Sequence, residues 1–444
     1  MDGAVEPVDP ADPVDSADPV EALGLDDPES PDEPAVDAAP DVPQPELLLA
    51  PRDGLPPVID ADHPLDEAIR ALAAGTGPVA VDAERASGYR YGQRAYLVQL
   101  RREGAGTFLV DPAACSDLSG LSQALAGVEW VLHAASQDLP CLAERGFEPD
   151  RLFDTELAAR LAGHERVGLG TIIEKLLGYR LEKGHSAVDW STRPLPEPWL
   201  RYAALDVELL VDLRDALEDD LRAQGKLEWA LEEFAAIVDA PPKPPPAEPW
   251  RRTSGMHKVR NRRQLAVVRS LWQTRDRIAQ RRDIAPGRIL PDSAIVAAAL
   301  AQPADQTALS KLPVYSGPRM RRTVEQWWLA IAEANALAED ELPRAAGPGV
   351  GLPPPNRWAD RDPEAAERLA RARAGLASLS EQYRVPVENL LEPALVRRLA
   401  WAPPAEPDAD SVQAVLTEGL ARRWQIELTV PVLVEALALQ DSPV

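Results

Sequence analysis

The sequence predicts an α/β domain, a sheet with helices on its faces, followed by two small all-α modules. Between residues 58 and 239, short apolar strand patterns come first and helical patterns interleave afterwards, which is typical of a layered α/β fold. Strand patterns stop at the proline-rich stretch 241–246, and only helical periodicity follows. A second stretch rich in Pro and Gly, 347–355, divides the helical part in two.

The chain begins with an acidic segment that precedes the folded part. Residues 1–53 hold 16 Asp or Glu and a single Arg, contain no aromatic residue and show no helical or strand period. Such a composition cannot bury enough surface to offset the cost of ordering the chain. We therefore predict a disordered acidic tail over residues 1–53, which is either a solvated segment or a nucleic-acid mimic that competes for a basic region.

The α/β domain is predicted over residues 54–239, and hydrophobic periodicity gives each of its elements. Apolar positions every three or four residues predict helices, and short apolar runs bounded by turn residues predict strands. The strands are expected at 79–81, 95–100, 107–111 and 130–133, and the helices at 65–73, 118–126, 156–162, 169–177 and 200–217.

Two helical modules are predicted beyond this domain. Residues 240–249 form a stiff linker, residues 250–340 the first module, residues 341–358 a second linker and residues 359–444 the second module. The helices of the first module are expected at 262–278, 292–300, 305–312 and 322–334.

The two modules look like repeats. Residues 285–295 align without gaps on 385–395, at an offset of 100, and the match keeps a proline, a leucine and an acidic residue. Arg288 corresponds to Glu388 in this alignment, so we expect a diverged second copy that does not bind nucleic acid as the first does.

Charge is unevenly distributed along the chain. The whole chain carries −25, of which −15 (16 acidic residues less one Arg) lies in residues 1–53. Residues 250–288 hold twelve Arg or Lys against two Asp. Because local charge decides what a surface attracts, a nucleic-acid partner is compatible with the acidic total.

Composition argues against several other classes of protein. No apolar run reaches the roughly 18 residues of a membrane span, and the N-terminus lacks a signal pattern, so we expect a soluble, cytoplasmic protein without a membrane partner. Cys115 and Cys141 lie outside any zinc-binding spacing and are expected to be buried apolar side chains. No protein partner can be deduced from the sequence.

Two acidic residues follow the predicted strand at 79–81. Side chains alternate between the faces of a strand, so Asp82 and Glu84 project to one side and Ala83 to the other. Two carboxylates so placed repel each other unless a cation lies between them. The pattern alone is equally typical of a solvated strand end.

Two further carboxylates have positions that bring them near one point. Asp138 follows the strand that ends at His133, and the carboxyl ends of strands are where α/β sheets place ligands. Tyr202 and Asp206 lie four residues apart in a predicted helix, hence on one face. Each carboxylate also has a simpler interpretation, Asp138 as a first-turn helix carboxylate and Asp206 as a solvated charge. His133 is expected to be structural.

The order of these residues resembles the motifs of the 3′–5′ exonucleases that have four acidic residues and a tyrosine. The motifs are, in chain order, Val-Asp-x-Glu at 81–84, His-x4-Asp at 133–138, Phe-Asp-Thr-Glu at 153–156, Lys-Gly-His at 183–185, Asp-Trp-Ser-Thr-Arg-Pro-Leu at 189–195 and Tyr-x3-Asp at 202–206. Together they resemble the ribonuclease D family, whose helicase and ribonuclease D C-terminal (HRDC) domain is similar to the first module. The resemblance implies an α/β exonuclease domain with a ribonuclease H-like mixed sheet flanked by helices.

The resemblance implies a metal-dependent exoribonuclease that releases nucleoside 5′-monophosphates from RNA with a free 3′ end, such as tRNA precursors. It implies that Asp82, Glu84, Asp138 and Asp206 bind two divalent ions, Mg²⁺ or Mn²⁺, which prefer oxygen ligands. Asp82, Glu84 and Asp206 would hold the ion nearer the attacking water, with Asp82 and Asp138 at the second ion. Tyr202 would orient that water, because an unperturbed phenol is a poor base at neutral pH.

The residues that contact RNA are less clearly marked. The residue after the catalytic Glu is commonly apolar in the family, but here it is Arg85. Tyr89 or Tyr91 could stack on the terminal base in its place. Lys183 and His185 could touch a substrate phosphate, although a surface histidine explains His185 as well.

In the first module, Arg262, Arg263 and Arg288 are candidates for binding RNA phosphates, and a solvated Arg-rich face is the alternative. About four to six phosphate contacts predict a log-log salt dependence of roughly −3 to −4. Two other functions stay compatible with the sequence: a DNA 3′–5′ exonuclease with the same site, and a non-catalytic RNA-binding protein.

Overall fold

The structure is a computed structural model that describes residues 44–345 and 352–438, except residues 116, 183, 186 and 243 and the side chain of Arg319. Most of the predicted acidic tail, residues 1–43, and part of the second predicted linker therefore lie outside the described residues. From Pro45 onward the described residues belong to one compact unit.

A six-stranded mixed sheet forms the centre of the first domain. The strands of the described chain are β1 (Glu46–Leu48), β2 (Val58–Ile59), β3 (Thr76–Arg85), β4 (Ala95–Glu103), β5 (Gly106–Val110), β6 (Glu129–Leu132), β7 (Arg151–Asp154) and β8 (Tyr179–Leu181). The sheet has the order β2-β5-β4-β3-β6-β7. β3 is central because it pairs antiparallel with β4 and parallel with β6. The predicted α/β fold with a mixed sheet is confirmed.

Eight helices in the described part of the first domain accompany the sheet. They are α1 (Asp62–Ala74), α2 (Ser119–Ala124), α3 (Leu139–Ala143), α4 (Thr155–Leu161), α5 (Leu169–Leu177), α6 (Glu197–Glu208), α7 (Leu210–Ala223) and α8 (Leu227–Val238). The single helix predicted at 200–217 is two helices, since Leu209 has φ −112° and ψ 9° and interrupts the helical path. β2, β7 and β8 were not predicted, because two to four residues are too few to show a period.

Residues 46–53 correct the predicted tail. β1 pairs in parallel with β8, and Leu48 packs against the core of the first domain. Arg52 lies 5.0 Å from the centre of the Tyr179 ring and donates its backbone N–H to Glu208. The prediction of disorder is therefore wrong for this end of the segment, which the exonuclease domain holds by strand pairing and a cation–π contact.

The two modules are helical, as predicted. The first contains α9 (Arg262–Arg282), α10 (Pro286–Ile289), α11 (Asp292–Ala301), α12 (Gln306–Ser310), α13 (Pro318–Arg321) and α14 (Val324–Ala336). The second contains α15 (Trp358–Arg361), α16 (Pro363–Tyr383), α17 (Val387–Leu390), α18 (Pro393–Trp401), α19 (Ala409–Glu418) and α20 (Arg423–Leu437). Each module has a hydrophobic core of its own.

The first three helices of the first module recur in the second, at an offset of 101 rather than 100. α9 and α16 both have 21 residues and end at left-handed residues, Asp283 with φ 48° and Arg384 with φ 51°. The next N–H then turns back to the helix in both modules, from Ile284 to the Ala279 carbonyl and from Val385 to the Ser380 carbonyl. The gap-free alignment on the shared prolines is therefore wrong by one residue, because Pro286 begins α10 whereas Pro386 precedes α17.

The first module contacts the exonuclease domain through the loop that follows β3. In this loop Tyr91 donates its hydroxyl to Asp276 at 3.0 Å and its N–H to Asp283 at 3.3 Å. Arg94 donates to the same Asp283 at 3.1 Å. Polar contacts thus link α9 to the strand that carries Asp82 and Glu84.

The second module contacts the exonuclease domain through a buried aromatic surface on α8, in contrast to the hydrogen bonds made by the first module. Trp424 is 2% exposed and stacks on Trp229 with ring centres 4.9 Å apart and planes 11° from parallel. Its indole N–H donates to Glu233 at 3.1 Å. Lys226, also buried, donates to the carbonyls of Leu161 and Tyr383, so a single ammonium group bridges the two domains.

Two predictions from composition can be compared with the structure. Cys115 and Cys141 are both free and buried, which confirms their prediction as small apolar side chains. Within the described residues, no helix is both long and apolar enough to cross a membrane.

Candidate active site

Asp82 and Glu84 lie on one side of β3 beyond its buried apolar run. Val81 and Ala83 are buried on the other side, whereas Asp82 and Glu84 are half-buried. One carboxylate oxygen from each of Asp82, Glu84 and Asp206 lies within 4.8 Å of the other two. The strand alternation therefore places two carboxylates where a third, from α6, meets them.

Tyr202 and Asp206 are presented by α6, which packs on β3, β4 and β5. The face of α6 toward the sheet includes the fully buried Ala203 and Ala204, whose small side chains let the helix approach closely. Tyr202 and Asp206 are one turn apart on this helix, and each is near enough to shift the pKa of the other. The helix thus delivers both groups to the end of β3.

Asp138 reaches the same region from a loop that Asp154 shapes. Asp138 precedes α3, after a left-handed Ala134 with φ 61° and one turn of 3₁₀ helix. The buried Asp154 carboxylate accepts four backbone N–H groups, two from this loop (Ala134, Ala135) and two from the start of α4 (Glu156, Leu157). The 153–156 motif was noticed in the sequence, but its role as the support of the Asp138 loop was not.

The four carboxylates Asp82, Glu84, Asp138 and Asp206, called the acidic cluster below, lie in a poorly solvated place. Burial is the main cause that raises the pKa of all four groups. Repulsion from neighbouring carboxylates raises the pKa of Glu84, Asp138 and Asp206 further. A cluster that resists ionisation in the absence of counter-charge suits a divalent cation, since the cation favours the ionised form.

Arg85 supplies one positive charge to the acidic cluster. It is the last residue of β3, next to an irregularity in the β3–β4 register, and such irregularities redirect side chains. Its Nη2 lies 3.8 Å from Asp138 Oδ1, and its side chain is 25% exposed. The Arg85 charge opposes the upward pKa shifts of Asp82, Glu84 and Asp138.

Tyr89 and Tyr91, predicted to stack on the terminal base, lie in the loop that holds the first module. Arg288 donates to the Gly88 carbonyl at 2.7 Å and its guanidinium lies 4.0 Å from the centre of the Tyr89 ring. The Tyr89 hydroxyl donates to the Ala187 carbonyl. Tyr91, Tyr89 and Arg288 are therefore engaged in domain contacts, and their binding of RNA stays a prediction.

His185 lies beside Tyr202, and Lys183 lies outside the described residues. The His185 ring centre is 6.1 Å from that of Tyr202 and 6.2 Å from that of Trp199. His185 has φ 63°, a conformation that only a few non-glycine residues adopt. This position near Tyr202 is compatible with substrate contact. His133, predicted to be structural, contacts the Thr155 hydroxyl at 2.9 Å.

Arg262 and Arg263, predicted to bind RNA, contact the chain that follows α14. Arg262 donates to the carbonyls of Glu339, Leu342 and Pro343. Arg263 donates to three carbonyls at the end of α14 and pairs with Glu339 at 2.9 Å. These contacts favour a structural role, because cations near a helix C-terminus satisfy its last carbonyls.

Arg193 is a supporting residue that the sequence did not single out, although it lies in the 189–195 motif. Its Nε donates to Asp111 at 2.6 Å, and its Nη atoms donate to the carbonyls of Tyr96 and Trp190. One guanidinium thus ties the segment before α6 to β4 and to the end of β5. Arg193 therefore fixes the start of the helix that carries Tyr202 and Asp206.

Comparison with family models assigns a description to each folded part. Residues 56–222 match a 3′–5′ exonuclease model, residues 264–331 an HRDC domain model and residues 351–437 a model described as the 3′ to 5′ exonuclease C-terminal domain. The second module therefore has a family model of its own, although its helices α16–α18 repeat α9–α11 of the first module.

Two curated relatives cover most of the chain. Ribonuclease D of Acidiphilium cryptum is 34% identical over 303 residues, which are 65% of this chain and 76% of that protein. Ribonuclease D of Granulibacter bethesdensis is 32% identical over 340 residues, which are 75% of this chain and 83% of that protein.

Solved structures show the same architecture. A crystal structure of a protein from Bifidobacterium adolescentis has a TM-score of 0.81 and 38% identity, and covers 88% of this chain and 99% of that chain. Escherichia coli RNase D, described as an exoribonuclease involved in structured RNA processing, has a TM-score of 0.62 and 25% identity, covering 86% of this chain and 98% of that chain. The catalytic core of RRP6 from Trypanosoma brucei has a TM-score of 0.55 at 23% identity over 63% of this chain and 80% of that chain, a likeness of fold.

Proposed function

The chain belongs to the ribonuclease D family, and from this premise we propose that its acidic cluster and Tyr202 hydrolyse RNA stepwise from the 3′ end. Membership of the family makes the protein a 3′–5′ exoribonuclease. The observation that carries the site is the convergence of Asp82, Glu84 and Asp206 within 4.8 Å, with Tyr202 one turn before Asp206 on α6. The products are nucleoside 5′-monophosphates.

The donor set fits divalent metal ions. All four groups of the acidic cluster offer carboxylate oxygens, the ligands that Mg²⁺ and Mn²⁺ prefer. Asp82, Glu84 and Asp206 would hold one ion, and Asp82 with Asp138 a second. When bound, the ions supply Lewis acidity for the attack of water on the phosphodiester and for the departure of the 3′ oxygen.

Tyr202 orients the attacking water. Burial raises the pKa of Tyr202, and the nearby carboxylates of Asp206, Glu84 and Asp82 raise it further. The phenol is therefore protonated at neutral pH, so it positions a water through hydrogen bonds rather than accepting its proton. Replacing Tyr202 by Phe should lower kcat by about 10²-fold, while Asp206 stays in place.

The substrate is RNA with a free 3′ end, and we favour structured precursors such as those of tRNA. The relative from Escherichia coli is described as acting in structured RNA processing. The first module contributes exposed basic residues that have no ion-pair partner among the described side chains, including Arg281 and Arg282 on α9. Such cations bind phosphates without regard to sequence and add affinity for a folded RNA.

One assay tests the reaction, the polarity and the nucleic acid together. With Mn²⁺, 5′-labelled RNA should shorten one nucleotide at a time, and EDTA or Asp82→Asn should stop the reaction. A 3′-phosphate should block attack if the free 3′ hydroxyl is recognised. Faster hydrolysis of the matched DNA oligomer would overturn the RNA assignment, and RNA binding without any mononucleotide release would favour a non-catalytic protein.

A further inference from the structure

The acidic cluster consists of two unequal parts, and Arg85 forms an ion pair with the smaller one, Asp138. Asp82, Glu84 and Asp206 form a compact group whose oxygens lie within 4.8 Å, and Asp138 is not a member of this group. Asp138 is 6% exposed, and the Nη2 atom of Arg85 lies 3.8 Å from its Oδ1. Three carboxylates are thus arranged for a cation, whereas the fourth already has one beside it.

The Arg85 guanidinium and a divalent ion compete for Asp138. A guanidinium keeps its charge at every pH at which the protein is folded, so it cannot yield its place by losing a proton. A second ion next to Asp138 would lie within a few ångströms of that charge, in a poorly solvated site where like charges repel strongly. The second ion therefore needs Arg85 to move or to be neutralised.

An RNA phosphate is the group that can neutralise Arg85. Hydrolysis requires the last phosphodiester to lie against the acidic cluster. The guanidinium of Arg85 is already there, 3.8 Å from the carboxylate of Asp138. Guanidinium groups bind phosphate oxygens with two parallel hydrogen bonds, more strongly than they bind a carboxylate at 3.8 Å. The side chain is 25% exposed, so it can turn toward a ligand that enters from solvent.

We propose, building on the function above, that Arg85 is a phosphate-binding residue that makes the second metal ion depend on RNA. In the RNA-free enzyme Arg85 pairs with Asp138, and only the ion held by Asp82, Glu84 and Asp206 binds. When the terminal phosphate of RNA takes the guanidinium, Asp138 is released to a second ion. The site therefore holds both ions only when RNA is bound.

The test counts bound Mn²⁺ by electron paramagnetic resonance, which needs no turnover. The full-length enzyme is titrated alone and with an RNA whose last linkage has a 3′-methylene group in place of the leaving 3′ oxygen. We expect one tight ion without RNA and two with it. Arg85→Leu should bind two ions without RNA, Arg85→Lys should bind one, and the double variant Arg85→Leu with Asp138→Asn should return to one.

Each other result is decisive. Two tight ions in the RNA-free wild-type enzyme would overturn the proposal, as would a single ion in RNA-free Arg85→Leu or a single ion in the RNA complex. If Mn²⁺-dependent, EDTA-sensitive RNA hydrolysis persists in the wild-type enzyme, those results refute the role of Arg85 and leave the proposed function standing. Circular dichroism of the variants separates loss of the second ion from loss of the fold, and Arg85→Gln, which also removes the charge and should also bind two ions without RNA, serves if Arg85→Leu does not fold.

Discussion

The two helical modules share three helices, α9–α11 in the first and α16–α18 in the second, but are attached to the exonuclease domain in opposite ways. The second module places Trp424, Val385 and Leu390 in the hydrophobic core of the exonuclease domain itself. The first keeps a separate core and reaches the exonuclease domain through the loop after β3. There Asp276, Asp283 and Arg288 of the module make polar contacts, and the partly buried Tyr91 ring of the loop packs against the module's core.

The difference indicates that the two modules are held to the exonuclease domain with different strength. A buried aromatic interface contributes to folding stability and does not open readily, because separating it exposes apolar surface. The contact of the first module consists mainly of part-exposed hydrogen bonds, which exchange with water at little cost, and of one partly buried ring, that of Tyr91. We therefore expect the first module to separate from the exonuclease domain more readily than the second.

The largest effect on stability is expected from Trp424→Ala. Removing the indole deletes the stack on Trp229 and leaves the buried Glu233 carboxylate without that donor. Truncation of a buried Trp costs about 3–5 kcal/mol in the free energy of unfolding. The adjacent Arg423→Ala removes only an exposed pair with Glu427 and should leave the free energy of unfolding nearly unchanged. Urea unfolding of both variants gives the comparison, and equal losses would contradict it.

Lys226→Met is expected to have the next largest effect, about 1–3 kcal/mol, because the carbonyls of Leu161 and Tyr383 lose their donor. Burial lowers the pKa of Lys226 from its ordinary value to about 8. As the pH rises, the folded state therefore loses this proton before the unfolded state does. The contribution of Lys226 to the free energy of unfolding increases between about pH 8 and about pH 10.5, and it is lost again as the pH falls back through 8.

The measurement is the difference in unfolding free energy between wild type and Lys226→Met at about pH 7.5 and about pH 9.5. The difference should grow at the higher pH. Lys258→Met, at an exposed lysine with no ion pair among the described residues, is the control and should show no growth. A constant difference for Lys226 would mean that its ammonium is not destabilised by burial.

The sequence predicted how these side chains come together better than it predicted the attachments. Strand alternation placed Asp82 and Glu84 on one side, and helical spacing placed Tyr202 and Asp206 on one face, because local geometry is set by a few neighbouring residues. These patterns alone left a solvated surface as an alternative, and the resemblance to the exonuclease motifs is what predicted a single site. Arg262 was predicted from the sequence to bind an RNA phosphate, yet the structure surrounds it with carbonyls that follow α14, far along the chain.

Contacts between distant segments explain the other differences. β1 has three strand residues, and its order depends on β8, which lies more than 130 residues away. The stack of Trp229 on Trp424 likewise joins two segments that no local pattern connects. The offset of the repeat was misjudged because matching two prolines gives no information on where each helix starts.

Asp283→Asn should loosen the first module with little effect on folding. Asn tolerates the left-handed conformation of this residue, so the change mainly removes the charge that Arg94 and Arg90 contact. We expect a loss of less than about 1 kcal/mol in unfolding free energy. Hydrolysis of a structured RNA should slow by about fivefold if about 1 kcal/mol of docking is lost.

A trinucleotide RNA, too short to contact the module, should be hydrolysed by Asp283→Asn at the wild-type rate. Asp305→Asn, at the N-cap of α12 in the same module, keeps its capping ability and serves as the control. If trinucleotide hydrolysis slows as much as that of the structured RNA, the loop after β3 acts through the catalytic site and not through RNA binding by the module.

The smallest effect distinguishes RNA-binding arginines from structural ones within the first module. Arg282→Gln, at an exposed side chain with no ion pair among the described residues, should make the log-log salt dependence of RNA binding shallower by about 0.7 if it contacts one phosphate. Arg262→Gln should leave that dependence unchanged and lower the free energy of unfolding, because the carbonyls of Glu339, Leu342 and Pro343 lose their donor. Salt titrations of RNA binding and urea unfolding of both variants decide it. A shallower salt dependence for Arg262→Gln without loss of stability would return this residue to the RNA-binding surface.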